Sequence, residues 1–401
     1  MNIDNLNDKQ KEAVMHDKGP MLVLAGAGSG KTKVLTSRIA YLIENDVSPS
    51  NILAITFTNK AAREMKERVV NLVGSDANYI QISTFHSLGL KIIKQNYELL
   101  GYDKNFTILD SDDTLTIVKK IIKELNLNPK YYNAKVIRNK ISSAKNELID
   151  PEGFSKIEFD KKIITVYKKY CEKLKKGNSV DFDDLLILPI KLFKEHKAVL
   201  ENYQERYKYI LIDEYQDTNE AQYIFSKMLS EKYKNIFVVG DNDQAIYAFR
   251  GANFKNILNF EQDYPNCKTI LLEENYRSTQ TILNAANSVI KHNKLRKDKN
   301  LWSSNDIGKK IKDSCVKLYL NPEKCSFKSL GYIDDITALK TSSNYYQILL
   351  AIKSTGNKYS YNMKLDVNED NFNLYRDVFK QYGLGNTTGI DLPNEPTGLR
   401  G

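Results

Sequence analysis

PMLVLAGAGSGKT, residues Pro20 to Thr32, is the stretch on which the fold turns. Pro20 to Ala25 is a short apolar run, the pattern of a strand buried on both faces of a sheet. It leads directly into Ala25-Gly26-Ala27-Gly28-Ser29-Gly30-Lys31-Thr32, and Lys33 to Ile43 then has the spacing of an amphipathic helix. Strand, small-residue loop, Lys-Thr and helix in that order make a P-loop, with Ala25 where the pattern often has its first glycine. Small residues let backbone N–H groups wrap phosphates, and the helix N-terminus adds positive potential. Lys31 is expected to reach the β- and γ-phosphates of ATP and Thr32 to offer its hydroxyl to Mg2+. The motif identifies nucleotide binding but not what the energy drives.

Downstream, Tyr207 to Ile212 (YKYILI) reads as another strand, and it ends in Asp213-Glu214-Tyr215-Gln216-Asp217. In a doubly wound sheet functional residues project from the carboxyl ends of strands, which places this acidic pair beside the P-loop. Asp213 is then the Mg2+ ligand, Glu214 the base that orients and deprotonates the attacking water, and Asp217 a residue holding local structure. A third strand, Asn235 to Val239, leads to Gly240-Asp241-Asn242-Asp243-Gln244. Gln244 is suited to bond both the γ-phosphate and the catalytic water, and so to report the nucleotide state.

Bulk properties narrow the class less sharply. A chain of 401 residues accommodates two or three domains. The net charge of +9 favours an anionic partner such as nucleic acid. Lys, Asn, Ile and Tyr are abundant throughout, however, so a compositional habit explains the charge equally well. No run approaches the roughly 18 apolar residues of a membrane span, and Met1 to Gln10 lacks a secretory layout, so a soluble, cytoplasmic chain is expected. Cys171, Cys267, Cys315 and Cys325 are scattered without CxxC pairs and indicate neither zinc nor a disulfide framework.

These motifs, with Leu6-Asn7-Asp8-Lys9-Gln10, Thr56-Phe57-Thr58-Asn59-Lys60, Ser83-Thr84-Phe85-His86-Ser87 and Glu274-Asn275-Tyr276-Arg277-Ser278-Thr279, closely resemble UvrD/Rep/PcrA-type superfamily 1 DNA helicases from residue 1 to about 311. The resemblance implies an ATP-dependent motor moving 3′ to 5′ on single-stranded DNA, acting at single-strand/duplex junctions in repair or replication. It gives Gln10 the adenine edge and Arg277 the γ-phosphate, where an arginine stabilises transition-state charge. It assigns DNA contacts to Phe57, Thr58, Asn59, Thr84, His86, Tyr247, Phe249 and Arg250. Bases stack on aromatic faces without regard to sequence. Taken alone, each of these aromatics reads as core.

The expected fold is α/β: a RecA-like P-loop NTPase domain with a parallel sheet (residues 1–107 and 187–275) and a helical insertion (108–186). Lysines of the insertion are expected mostly on a solvated face. A truncated start of a second motor domain (276–311) and an unrelated α/β-like tail (312–401) would follow. In the tail, Ala338 to Tyr346 and Tyr382 to Glu395 resemble part of a penicillin-binding transpeptidase, with Ser342 and Asn344 matching its S-x-N element. The S-x-x-K nucleophile and K-T-G are missing there, so no acyl transfer is expected. A gene join, rearranged locus or assembly error explains the pairing better than a two-function enzyme. With its second domain shortened, the chain is expected to hydrolyse ATP weakly and not to unwind usefully. The alternatives are a regulatory P-loop protein or a non-catalytic DNA-binding remnant.

Overall fold

The computed structural model describes residues 4–245, 253, 255–291 and 298–308. The described residues divide into two compact units. One comprises residues up to Ser278 together with 298–304; the other comprises 279–291 with 305–308. The transpeptidase-like segment lies outside the described residues, as do Tyr247, Phe249, Arg250, Cys315 and Cys325.

Eight strands are present among the described residues: β1 (Met21–Ala25), β2 (Ile52–Thr56), β3 (Gln81–Thr84), β4 (Thr107–Ile108), β5 (Ser179–Val180), β6 (Tyr209–Ile212), β7 (Ile236–Gly240) and β8 (Lys268–Leu272). Six form one sheet in the order β3-β2-β6-β7-β1-β8, and every pairing in it is parallel. All six carboxyl ends therefore open on one edge. β6, β7 and β1 are consecutive there, so the acidic pair, the Gln244 loop and the P-loop sit side by side.

The strands are apolar on both faces because both are covered. Leu22, Leu24, Leu53, Ile55, Ile210, Ile212 and Val238 share one core with Phe85, Phe193 and Phe225. Met21, Val23, Ala54, Leu211, Phe237 and Val239 face the other, with Val34, Leu35, Ile39 and Met65. Each fully buried Leu, Ile or Val contributes roughly 1.5–3 kcal/mol. The period of two thus persists in the choice of core although it is invisible as a polar alternation.

One approach on the first face is unusually close. A Cβ on Gly89, in the helix Phe85–Gln95, would come within 1.8 Å of the Leu185 carbonyl oxygen. Leu185 lies in the helix Asp184–Glu195, which contains Pro189. Pro189 has no N–H to give to that carbonyl four residues back, and glycine lets the neighbouring backbone come up to it.

Between β4 and β5 the chain builds a helical insertion from Ser111–Glu124, Ala134–Asn146, Pro151–Phe154 and Lys161–Lys176. It has its own core of Val118, Ile121, Ile137, Ile141, Val166, Tyr167 and Tyr170. The chain enters and leaves side by side, since Thr107 and Ile108 pair in parallel with Ser179 and Val180. At its base the buried Lys145 donates to Asp181 Oδ2 at 2.7 Å and Asp184 Oδ1 at 2.8 Å. In the second unit the helix Gln280–Ile290 is joined to the later segment by the Thr281 N–H, which donates to the Ile307 carbonyl at 3.0 Å. Among the described residues no helix is long and apolar enough to cross a membrane.

Candidate functional site

The P-loop leaves β1 through glycines that are required by its path. Gly28 and Gly30 have φ of +70° and +88°, conformations that L side chains rarely adopt. A Cβ on Gly28 would lie 2.7 Å from Asn275 Nδ2 and 2.9 Å from Arg277 Cβ, and one on Gly30 would lie 2.8 Å from Gln10 Nε2. Ala25 is fully buried as the last residue of β1, which accounts for an alanine there. Ser29 Oγ donates to the Gly26 carbonyl at 2.8 Å, and Ala27 is exposed. The helix Lys31–Glu44 has Gly30 at its N-cap and no side-chain cap, so its first-turn N–H groups are left for an anion.

Lys31 Nζ lies 3.3 Å from Gln244 Oε1 and 3.6 Å from Glu214 Oε2. The three side chains come from the ends of β1, β7 and β6. Glu214 is a non-glycine residue at φ 49° and ψ 43°, a left-handed strain of the kind found at working sites. Beside it, burial and then the Glu214 charge push the Asp213 carboxyl up to about 7. The donor set of Thr32 hydroxyl and Asp213 carboxylate is all oxygen, as Mg2+ prefers, and a cation would offset the crowding of the two acids. Asp217 is buried and accepts from Gln216 Nε2 at 3.2 Å, which agrees with a local structural part.

Several members of this site make contacts that the sequence does not show. Gln216 Nε2 donates to Glu214 Oε2 at 2.9 Å, while Gln216 Oε1 accepts from the Asp241 N–H at 2.9 Å, so one amide spans the ends of β6 and β7. Asn275 Nδ2 donates to the Ala27 carbonyl at 2.5 Å, and Asn275 Oδ1 accepts from the N–H groups of Arg277 (2.8 Å) and Ser278 (2.7 Å). Asn275 therefore ties the P-loop to the backbone that carries the exposed Arg277. Gln10 is buried, donating from Nε2 to the Ser29 carbonyl at 2.9 Å and accepting the Asn7 N–H at 3.2 Å. It props the loop in this state. Gln216, Asn275 and Gln10 all lie inside stretches legible beforehand, but of the three only Gln10 has a role read from the sequence.

The DNA candidates among the described residues lie at the other half of the same edge, after β2 and β3. Phe57 is half-buried, and Thr58 Oγ1 accepts from the Ala61 N–H at 3.0 Å as a helix cap. Thr84 is buried and caps the next helix by accepting from the Ser87 N–H at 3.1 Å. Ser87 Oγ in turn donates to Asn59 Oδ1 at 3.2 Å, which locks the two loops together. Both threonine hydroxyls are thus committed to building the loops. His86 stacks on Phe182 with ring centroids 4.3 Å apart, and burial holds its imidazole down to about 4. Phe182 is 56% exposed, an aromatic face that sequence reading did not single out.

With this geometry in place, comparison with known proteins is decisive at the level of family. The sequence profile of the UvrD/REP helicase N-terminal domain matches residues 6–265. The chain belongs to the UvrD/REP helicase family. A second profile, the UvrD-like helicase C-terminal domain, matches residues 270–364. The helicase likeness therefore runs past residue 311, where sequence reading let it fade, and over Ser342 and Asn344. No comparison supports a transpeptidase segment. The helicase profile overlaps the stretch Ala338 to Tyr346 and ends before Tyr382 to Glu395.

Among UvrD/REP relatives, the ATP-dependent DNA helicase PcrA of Bacillus subtilis (strain 168) is 56% identical over 313 residues, covering 77% of this chain and 42% of the relative. The same-named protein of Staphylococcus epidermidis is 52% identical over 313 residues, covering 77% and 43%. That of Staphylococcus aureus (strain Mu50 / ATCC 700699) is 51% identical, with the same coverage. The chain thus spans less than half the length of these relatives.

Proposed function

We propose that this member of the UvrD/REP family is an ATP-driven DNA motor that moves 3′ to 5′ on single-stranded DNA and works at single-strand/duplex junctions in repair or replication. The observation that carries the reading is the convergence of Lys31, Glu214 and Gln244 from three adjacent parallel strands beside a P-loop. The 3′ to 5′ direction rests on the family resemblance alone.

In this reading the backbone of Gly26 to Gly30 and the uncapped helix N-terminus take the phosphates. Lys31 gives up its long contacts to Gln244 and Glu214 for phosphate oxygens. Glu214, held by Gln216, orients a water and accepts its proton as the water attacks the γ-phosphorus and ADP leaves. Thr32 and Asp213 would hold Mg2+, which neutralises phosphate charge when bound. Gln244, freed from Lys31, meets the γ-phosphate, and Arg277 lies beside Gly28 to stabilise charge in the transition state. Gln10 supports Ser29 and offers what remains of its amide to the adenine edge.

On the other half of the edge, Phe57, Asn59, His86 and Phe182 form a surface for bases and phosphates, with Thr58 and Thr84 fixing its loops. The family resemblance assigns DNA contacts to Tyr247, Phe249 and Arg250 as well. Stacking of about 1 to 3 kcal/mol per base would give affinity without sequence preference.

The test is ATP turnover by the purified chain with and without oligo(dT). Turnover should rise at least about tenfold with DNA and fall by roughly a thousandfold in Lys31→Ala, the scale of losing a main electrostatic contact to the transition state. Turnover indifferent to DNA, or unchanged in Lys31→Ala, would overturn the reading.

A further inference from the structure

Lys299 arrives at this site from a segment that no motif covers. Its ammonium is buried, donates to Asp241 Oδ1, and lies 2.8 Å from Asp243 Oδ2. Asp241 Oδ2 accepts from Gln244 Nε2 at 2.5 Å, and Gln244 Oε1 faces Lys31 Nζ at 3.3 Å. A carboxylate only accepts and an ammonium only donates, so this pair of neighbours fixes which way the Gln244 amide points. Lys299 sets a positive charge against Asp241 and Asp243 and so holds the Asp241 side chain in place inside the fold.

The same segment is built onto the arginine loop. The Asn300 N–H donates to Glu273 Oε1 at 2.7 Å, and the Trp302 N–H to the Glu273 carbonyl at 3.1 Å. The Asn275 N–H donates to the Trp302 carbonyl at 2.7 Å, and Ser303 Oγ to the Asn275 carbonyl at 2.7 Å. Leu301 packs on the P-loop, where a Cβ on Gly26 would fall 2.2 Å from its Cδ2. Residues 299–304 thus touch the β7 loop, the P-loop and the backbone leading to Arg277.

We infer that Lys299 is a positioning residue that sets the Gln244 amide through Asp241 and couples it to the loop carrying Arg277. The inference rests on the ATPase reading above and names a further determinant of that same site.

The test uses the full chain with Lys299→Met, Lys299→Arg, Gln244→Ala and the Lys299→Met/Gln244→Ala double variant. Two quantities are measured: DNA-stimulated turnover, and the affinity ratio for a fluorescent non-hydrolysable ATP analogue against fluorescent ADP. Lys299→Met should lower kcat about tenfold with KM within about threefold, and shift the analogue-to-ADP ratio to that of Gln244→Ala. The double variant should be no worse than Gln244→Ala, because both changes remove one coupled interaction. Lys299→Arg should recover at least about a third of the lost kcat, since it keeps the charge.

Wild-type kcat in Lys299→Met, multiplicative losses in the double variant, or a joint fall of kcat and affinity without rescue by arginine would each overturn the inference. If Lys299→Met does not fold, Asp241→Asn takes its place, with the same outcomes required of the ratio and of its double variant with Gln244→Ala. A wild-type chain that neither turns over ATP nor separates the analogue from ADP defeats the ATPase reading and this inference with it. Wild-type turnover alongside an unaffected Lys299→Met defeats this inference alone.

Discussion

Lys31 at the carboxyl edge of the sheet lies beside one carboxylate and one amide, Lys145 at the base of the helical insertion lies between two carboxylates, and the two are held differently. Lys31 stands at 3.3 and 3.6 Å from its two neighbours, with 11% of its side chain exposed. Lys145 is clamped at 2.7 and 2.8 Å between Asp181 and Asp184, with 5% exposed. Burial opposes the Lys145 charge, but the two aspartates outweigh it and hold its pKa well above the ordinary value. Loose contacts leave a lysine ready for an incoming anion, whereas short closed ones spend the whole charge on the fold.

The widest gap should appear in stability. Lys145→Met leaves two buried carboxylates without their cation and should cost about 3–5 kcal/mol in urea unfolding. Lys31→Ala should change stability by less than about 1 kcal/mol although it stops turnover. Equal losses in the two variants would break the contrast. Gly89→Ala comes next: the added methyl meets a backbone carbonyl and should cost about 1–3 kcal/mol by forcing two helices apart. A neutral result would mean that this contact can slide.

The smallest effect concerns His86. Its pKa in the folded chain is held near 4 by burial, below the ordinary 6.5. The unfolded chain therefore binds more protons between these values, and stability falls as the pH drops from 6.5 toward about 4. His86→Asn should flatten that limb by roughly 1 to 2 kcal/mol at pH 5 while leaving pH 8 unchanged. An unaltered slope would show that the ring is wetter than its stacking on Phe182 suggests.

Sequence reading reached the parts of the molecule written in contiguous letters. The P-loop, the Asp213-Glu214 pair and the Gln244 loop each follow an apolar strand, and a parallel sheet obliges their ends to meet. The insertion was legible as Lys-rich amphipathic helices because helical spacing is local. What escaped depends on contacts across long separations. Nothing around Lys299 announces that it will meet Asp241, and Gln216 looks like one more polar residue in an acidic turn. Phe182 draws no notice in the sequence, and its open face is visible only in the structure. Thr58 and Thr84 sit in the expected loops, yet their hydroxyls serve as helix caps. The transpeptidase likeness of the tail rests on short stretches without strand or loop context, and the helicase profile runs over the first of them.

The paired short strands at the root of the insertion make it, in topological terms, an exchangeable cassette. Because Thr107 and Ser179 are neighbours, another domain with adjacent termini could be spliced there without rerouting any strand of the main sheet. Its one obligation would be electrical. Asp181 and Asp184 belong to the host side of the splice, so any replacement must bring a cation to them as Lys145 now does.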